Sequence, residues 1–211
     1  MGLRSGLFAL AVLAAGALVQ PAAAQQTIID EWPGIKAPPA PALKEVTVDP
    51  KTTALLMLDF VKQTCNSERR PRCLATLPAA KQLLADARAK NMLVVHSIVA
   101  GGAIGDTLPE VALAGDEPYV QSGADKFVNT DLEKLLKDRG IKTVIVAGTA
   151  AHGAVLHTAA GAVFRGFKAV VPVDTMSAEN LYIEQYVAYH LASAPVVAAG
   201  TTLTRLSMIK F

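Results

Sequence analysis

From Thr53 onward the chain alternates short apolar runs with amphipathic stretches. Ala54-Leu-Leu-Met-Leu58 is an unbroken apolar run closed by Asp59, the pattern of a strand buried on both faces. Leu77 to Lys90 sets Leu83, Leu84 and Ala87 at helical spacing with lysine and arginine opposite, and Met92 to Val99 reads as the next strand. Thr130 stands where it can cap a helix whose Leu132, Leu135 and Leu136 face inward and which Gly140 ends. Thr143 to Ala147 predicts a third buried strand, followed at once by Gly148. Ala154 to Phe164 carries almost no polar residues, so that helix is expected between layers rather than on the surface. Ala169 to Val173 predicts a fourth strand ending at Asp174, Glu179 to Leu191 a helix, and Thr201 to Leu206 a last strand. The alternation predicts an α/β fold: a three-layer sandwich with about six mostly parallel strands, helices on both faces and right-handed crossovers. Ligands of such sheets bind beyond the carboxyl ends of the strands. That rule singles out one rim, carrying Asp59, Ser97, the Gly148 to Gly153 turn and Asp174.

Upstream of this domain the pattern changes twice. Arg4 precedes a charge-free apolar run from Leu7 to Val19, Pro21 breaks it, and Ala22-Ala23-Ala24 supplies small residues of the kind signal peptidase requires. Residues 1–24 therefore read as a secretory signal peptide cleaved after Ala24, the run being shorter than the about 20 residues a membrane span needs. No later segment is long and apolar enough to span a bilayer, so the expected location is periplasmic or secreted, with no membrane partner after cleavage. Residues 25–52, with Trp32-Pro-Gly and Ala37-Pro-Pro-Ala-Pro-Ala42, show no periodicity. They read as a Pro/Ala-rich arm that either lies on the domain or reaches a neighbouring subunit of a homo-oligomer. Residues 53–211 form the expected single domain.

Charge contributes by exclusion. The formal net charge of +2 leaves no electrostatic footprint for nucleic acid or an anionic membrane. Two cysteines occur, Cys65 and Cys73, flanking a charged stretch. In an oxidising compartment they are expected to form a disulfide. A free pair is the alternative, and a metal site is disfavoured because no histidine lies nearby.

Asp59 ends a buried strand, where a carboxylate is costly unless something nearby uses it; a loop-capping aspartate is the competing reading. Thr149, Ala150, His152 and Gly153 lie in a small-residue turn between a buried strand and a buried helix. Such a turn either gathers backbone amides around an anion or oxyanion, or merely connects two tightly packed elements. His152 is either a ligand-bonding group or an ordinary hydrogen-bonded histidine.

Three segments together resemble the isochorismatase-like hydrolases: Leu55-Leu-Met-Leu-Asp59-Phe60, Asp125-Lys-Phe-Val-Asn-Thr-Asp-Leu132, and Gly148 to Gly166. In the last, Gly148, Val155, Thr158-Ala159 and Arg165-Gly166-Phe167 stand in register with the family pattern, and Asp174-Thr-Met-Ser-Ala178 echoes the element after the next strand. The resemblance runs from about Thr53 to Met208. It implies hydrolysis of a small organic molecule, in most members by an Asp-Lys-Cys triad whose cysteine attacks an amide or imide carbonyl. Ala154 takes the cysteine's place here, and neither Cys65 nor Cys73 lies in the right segment to replace it. True isochorismatases also carry a small residue there after an Ala-His pair, as in Ala151-His152-Gly153-Ala154. In those enzymes the aspartate protonates a vinyl ether and water completes the reaction without a covalent intermediate.

The family's lysine falls by register on Gln121. Lys126 either fills the same space from a shifted position or is a surface lysine paired with Asp125. Metal-using relatives place two histidines after the first strand, and none occurs between Phe60 and Met92, so neither metal nor other cofactor is expected. The resemblance thus assigns catalysis to Asp59 as acid/base and Lys126 as its charge partner, with Ala154 at the cysteine position and a small-molecule substrate beside the turn. Isochorismate itself is a poor fit to an exported chain. The alternative is a non-catalytic periplasmic binding or scaffold protein on the same fold, which Ala154 and Gln121 favour.

Overall fold

The computed structural model describes residues 27–211; the expected signal peptide and its cleavage site lie outside the described residues. The chain divides after Ala37. Before that point a helical turn, α1 (Ile28–Glu31), continues into a 3-10 turn at Trp32–Gly34, closed at its start by bonds from Thr27 to the Asp30 carboxylate. Ile28, Ile29, Trp32 and Ile35 in this piece are exposed.

From Pro38 onward, β1 (Val46–Thr47) pairs with β9 (Ile209–Lys210) in a two-stranded sheet. The main sheet has seven strands, all parallel. Its order is β4 (Tyr119–Ser122), β3 (Leu93–Val99), β2 (Thr53–Leu58), β5 (Thr143–Thr149), β6 (Lys168–Pro172) and β8 (Thr201–Thr204), with β7 (Met176–Ser177) added at the end of β5. The α/β sandwich is therefore as expected, with seven strands rather than six. β4 is an edge strand, mostly exposed, and so lacks the apolar run that reveals its neighbours; β7 is a two-residue pairing with no pattern to read.

Every residue of β2 is buried because both sides are covered. Leu56 and Leu58 pack with Val144 and Val146 of β5 on one face, while Leu55 and Met57 pack with Ile145 and Ala147 on the other. On the second face lies α2 (Pro71–Ala89), which buries Leu77, Ala80, Leu83, Leu84 and Ala87. The first face carries α3 (Leu132–Asp138), α4 (Leu156–Phe164) and α5 (Leu181–Ser193), and α6 (Val197–Gly200) leads into β8. Each fully buried leucine contributes about 1.5–3 kcal/mol, so the two faces together fix the register of the central strands.

Several boundaries differ from the sequence expectation, β8 ending at Thr204 rather than Leu206 and α5 starting at Leu181 rather than Glu179. α2 starts at Pro71, where proline's fixed φ and missing donor suit the first helical position. The N-cap position of α3 is Asp131, while the Thr130 hydroxyl donates to Lys126 O at 2.6 Å and accepts from Leu132 N at 3.3 Å. The helix expected from Ala154 begins instead as a π-helical turn, Ala151–Val155, before α4 takes over. Cys65 and Cys73 form a disulfide, their Cα atoms 5.3 Å apart, within the span such a bond allows. Among the described residues no helix is long and apolar enough to cross a membrane.

Candidate active site

Register places the rim. Leu58, the last residue of β2, lies opposite Ser97 of β3 and Gly148 of β5, so the chain beyond each strand opens at the same edge. Gly148 must be glycine there, since a Cβ would sit 2.4 Å from Leu58 O and 2.6 Å from Leu58 Cβ.

Asp59 leaves β2 in the left-handed region, φ +55°, uncommon for a residue with a side chain and often found at functional positions. Its amide donates to Ser97 O at 3.1 Å, and its carbonyl accepts from the Thr64 hydroxyl at 2.5 Å. With the main chain held, the carboxylate meets two donors. Ser97 Oγ donates to Oδ1 at 2.7 Å, and Lys126 Nζ donates to Oδ2 at 2.7 Å. Asp59 is 6% exposed and Lys126 0%. Burial pushes the Asp59 carboxyl above its ordinary range, against the opposing pull of Lys126, of the Ser97 hydroxyl and of Arg70.

Lys126 comes from the loop after β4. Its ammonium also donates to Gly123 O at 2.7 Å and Ser122 O at 3.3 Å, giving three acceptors for three N–H groups. Thr158 of α4 anchors the loop, its hydroxyl accepting from Lys126 N at 3.2 Å and donating to Ala124 O at 3.3 Å. Of the two placements open to Lys126, the buried one against Asp59 holds. Asp125 instead accepts from Phe127 N and lies 3.5 Å from Arg165. Gln121 is exposed on β4, with its amide donating to Val99 O and Gly102 O.

The turn after β5 begins with a cis peptide between Thr149 and Ala150. Thr149 is fully buried; its hydroxyl donates to Ser177 O at 3.2 Å and accepts from Ser177 Oγ at 3.0 Å and Arg70 Nη1 at 3.3 Å. That hydroxyl is saturated by protein partners, so the Thr149 side chain has no group left for a ligand. Gly153 N donates to Ala150 O at 3.0 Å and Val155 N to the same oxygen at 3.3 Å, closing the turn. Ala154 is buried and belongs to the same apolar cluster as Leu58 and Val155. His152 is exposed, its Nδ1 3.8 Å from Glu179 Oε2.

Two residues at this rim escaped the sequence reading. Arg70 is buried with its guanidinium against Glu179 at 2.5 Å. Burial raises the Glu179 carboxyl, but the Arg70 hydrogen bond, a bond from its own amide and the nearby charge of Arg70 together outweigh it and hold the group below the usual carboxylate range. Arg70 lies in a charged run that looks solvated, and Pro71 directly after it, a helix-start signal, was the clue available. Asp174, expected at the rim, accepts from Leu206 N at 3.0 Å with one oxygen and 3.1 Å with the other, and so orders the loop after β8. A cavity of about 350 Å³ lined by Lys51, Asn91 and Arg139 lies at the amino ends of the strands, the end opposite Asp59. Another, of about 410 Å³, is lined by Ser122, Gly123 and Asn129 in the lysine-bearing loop. Among the described residues no three His, Cys, Asp or Glu side chains cluster as a metal site requires.

A parallel α/β domain with a buried carboxylate–ammonium pair at its carboxyl rim is the class these features define. Comparison with known families makes it specific: the Isochorismatase domain matches residues 53–203, and the chain belongs to that family. Solved structures agree in fold. An isochorismatase family protein from Desulfovibrio vulgaris subsp. vulgaris str. Hildenborough superposes with a TM-score of 0.68 at 22% identity, covering 74% of this chain and 95% of that one. A cysteine hydrolase from Pseudomonas syringae pv. phaseolicola 1448A gives 0.69 at 18% identity, covering 79% and 94%. An N-carbamoylsarcosine amidase from Thermoplasma acidophilum gives 0.63 at 21%, covering 74% and 96%. A search of curated proteins finds no match.

Proposed function

We propose that this chain is an exported hydrolase of a small organic molecule that works by Asp/Lys acid–base chemistry without a cysteine nucleophile. The observation that carries the reading is the Lys126 Nζ to Asp59 Oδ2 contact of 2.7 Å, buried at the strand rim next to the turn after Gly148. A carboxyl raised by burial and steadied by an adjacent ammonium is suited to giving and taking a proton. Asp59 protonates the leaving or accepting atom of the substrate and later recovers its proton from water. Lys126 keeps the ionised form tolerable between those steps. For amide or ester substrates the amides of the turn after Gly148 are the donors for the developing oxyanion, with the exposed His152 in the same turn. By the family register Ala154 occupies the cysteine position, so water attacks directly and no bond to the enzyme forms. Candidate substrates are vinyl ethers first, then amides and esters, amides being what the Thermoplasma relative's name points to. The N-terminal signal pattern supports action in the periplasm or outside the cell.

The second reading, a binding or scaffold protein without turnover, is favoured by Ala154 and by the near-complete enclosure of Asp59 and Lys126. Turnover of a panel of small vinyl ethers, amides and esters by wild type and Asp59→Asn separates the two. The hydrolase reading expects turnover that Asp59→Asn abolishes, because an amide cannot shuttle the proton. Equal rates in the two proteins remove Asp59 from the mechanism.

A further inference from the structure

The stretch Glu68-Arg-Arg-Pro-Arg72 between the two cysteines has the composition of a solvated loop, yet Arg70 is 4% exposed. A buried guanidinium is costly unless its charge and donors are met. Here Nε and Nη2 donate to Glu179 Oε1 at 3.0 and 2.5 Å, and Nη1 donates to Thr64 O at 3.1 Å and Thr149 Oγ1 at 3.3 Å. Thr64 is the residue whose hydroxyl grips Asp59 O at 2.5 Å, and Thr149 opens the turn after β5. One side chain therefore touches the fixing points of both halves of the rim.

The disulfide encloses the same residue. Cys65 follows Thr64 directly and is bonded to Cys73, whose amide donates to Arg70 O at 2.9 Å, while the Arg70 amide donates to Asn66 O at 3.0 Å. Two residues on, Arg72 grips Glu184 at the start of α5, so the closed loop is tied to the β7–α5 segment twice. We propose that Arg70 is a positioning residue for Asp59 and for the turn at Thr149, and that the Cys65–Cys73 disulfide holds it in place. The proposal rests on the reading of Asp59 as the acid/base. Arg70 acts through Thr64 and Thr149, and its charge adds to that of Lys126 in favouring the ionised Asp59. The charged and titratable groups around the pair are Lys126 from the loop after β4, Arg70 at the start of α2, and Glu179 with His152 behind Arg70.

The test follows the Asp59 carboxyl directly, by carbon-13 NMR titration of the full chain labelled at aspartate, with Asp59→Asn giving the assignment. In Arg70→Met the Asp59 midpoint is expected to rise by about half a pH unit, since an opposite charge has gone. Arg70→Lys keeps the charge and shifts it less. The Cys65→Ala/Cys73→Ala double variant changes no charge and is expected to raise the midpoint in the same direction by a smaller amount. An unchanged midpoint in the folded arginine variants overturns the role of Arg70, and an unchanged midpoint in the cysteine variant overturns that of the disulfide. Should Arg70→Met not fold, the lysine and cysteine variants decide. On any substrate the wild type turns over, Arg70→Met is expected to lower kcat about tenfold with KM nearly unchanged. A rise in KM alone would instead make Arg70 a substrate contact and refute positioning. If no substrate is turned over, the proposed function has failed, and the carboxyl titration still decides the place of Arg70.

Discussion

Replacing Lys126 with methionine removes the ammonium and keeps most of the stem that fills the core. In the wild type the charge is fully buried and makes three hydrogen bonds, to Asp59 Oδ2, Gly123 O and Ser122 O. Removing one partner of a buried pair costs about 3–5 kcal/mol, because the other is left as an uncompensated charge. Asp59 has a way out of that penalty, since it can protonate. Burial already raises its carboxyl, and losing Lys126 removes the strongest opposing pull, so the folded-state pKa climbs further. A carboxyl whose pKa is higher in the folded than in the unfolded chain binds its proton more tightly when folded. The variant's stability is therefore best below the unfolded value of about 3.9 and falls as pH rises towards the folded pKa, by up to about 1.4 kcal/mol per pH unit. Urea denaturation followed by circular dichroism at pH 5, 6, 7 and 8 measures this. The expected result is a deficit of about 4 kcal/mol against wild type at pH 8, shrinking towards pH 5. Adding Asp59→Asn should recover part of it at pH 8. A deficit below about 1 kcal/mol that ignores pH would mean that Lys126 is a surface lysine and that the buried pair is wrong.

Gly148→Ala should destabilise the fold by about 3 kcal/mol or more in the same assay, because the Leu58 main chain that its methyl would strike cannot move without separating β2 from β5. Reducing the Cys65–Cys73 bond, which joins residues 8 apart, should cost about 2–3 kcal/mol by loop-closure entropy; both thiols should resist alkylation until a reductant is added. Thiol-directed inhibitors should leave wild-type turnover untouched. Mass spectrometry of acid-quenched reactions should show no adduct on wild type, whereas Ala154→Cys, with a thiol at the turn, should become sensitive to those reagents.

The strands were legible where burial on both faces forced unbroken apolar runs, as in Leu55 to Leu58 and Thr143 to Ala147. β4 was not, because Tyr119 and Gln121 face solvent at a sheet edge and leave nothing for periodicity to register. Asp59 could be read because a carboxylate at the end of a buried strand is anomalous. Lys126 could only be left between two placements, since its partner lies 67 residues away and a loop lysine carries no mark of burial. Arg70 and Glu179 were hidden for the same reason: 109 residues separate them, and the composition around Arg70 argues for solvent. Glycine at 148 was visible as a small residue after a strand, but the close approach of Leu58 that demands it is a property of the register alone.

The claim that the buried Asp59–Lys126 pair is the reacting centre is tested most directly by the pH dependence of kcat/KM on one turned-over substrate, in wild type and in Lys126→Met. The wild-type profile should be governed by a single group titrating above the ordinary carboxyl range, as the burial of Asp59 requires. In Lys126→Met the midpoint should move to still higher pH while the maximum falls. Two profiles with the same midpoint, or a wild-type midpoint at the ordinary carboxyl value, would contradict the claim.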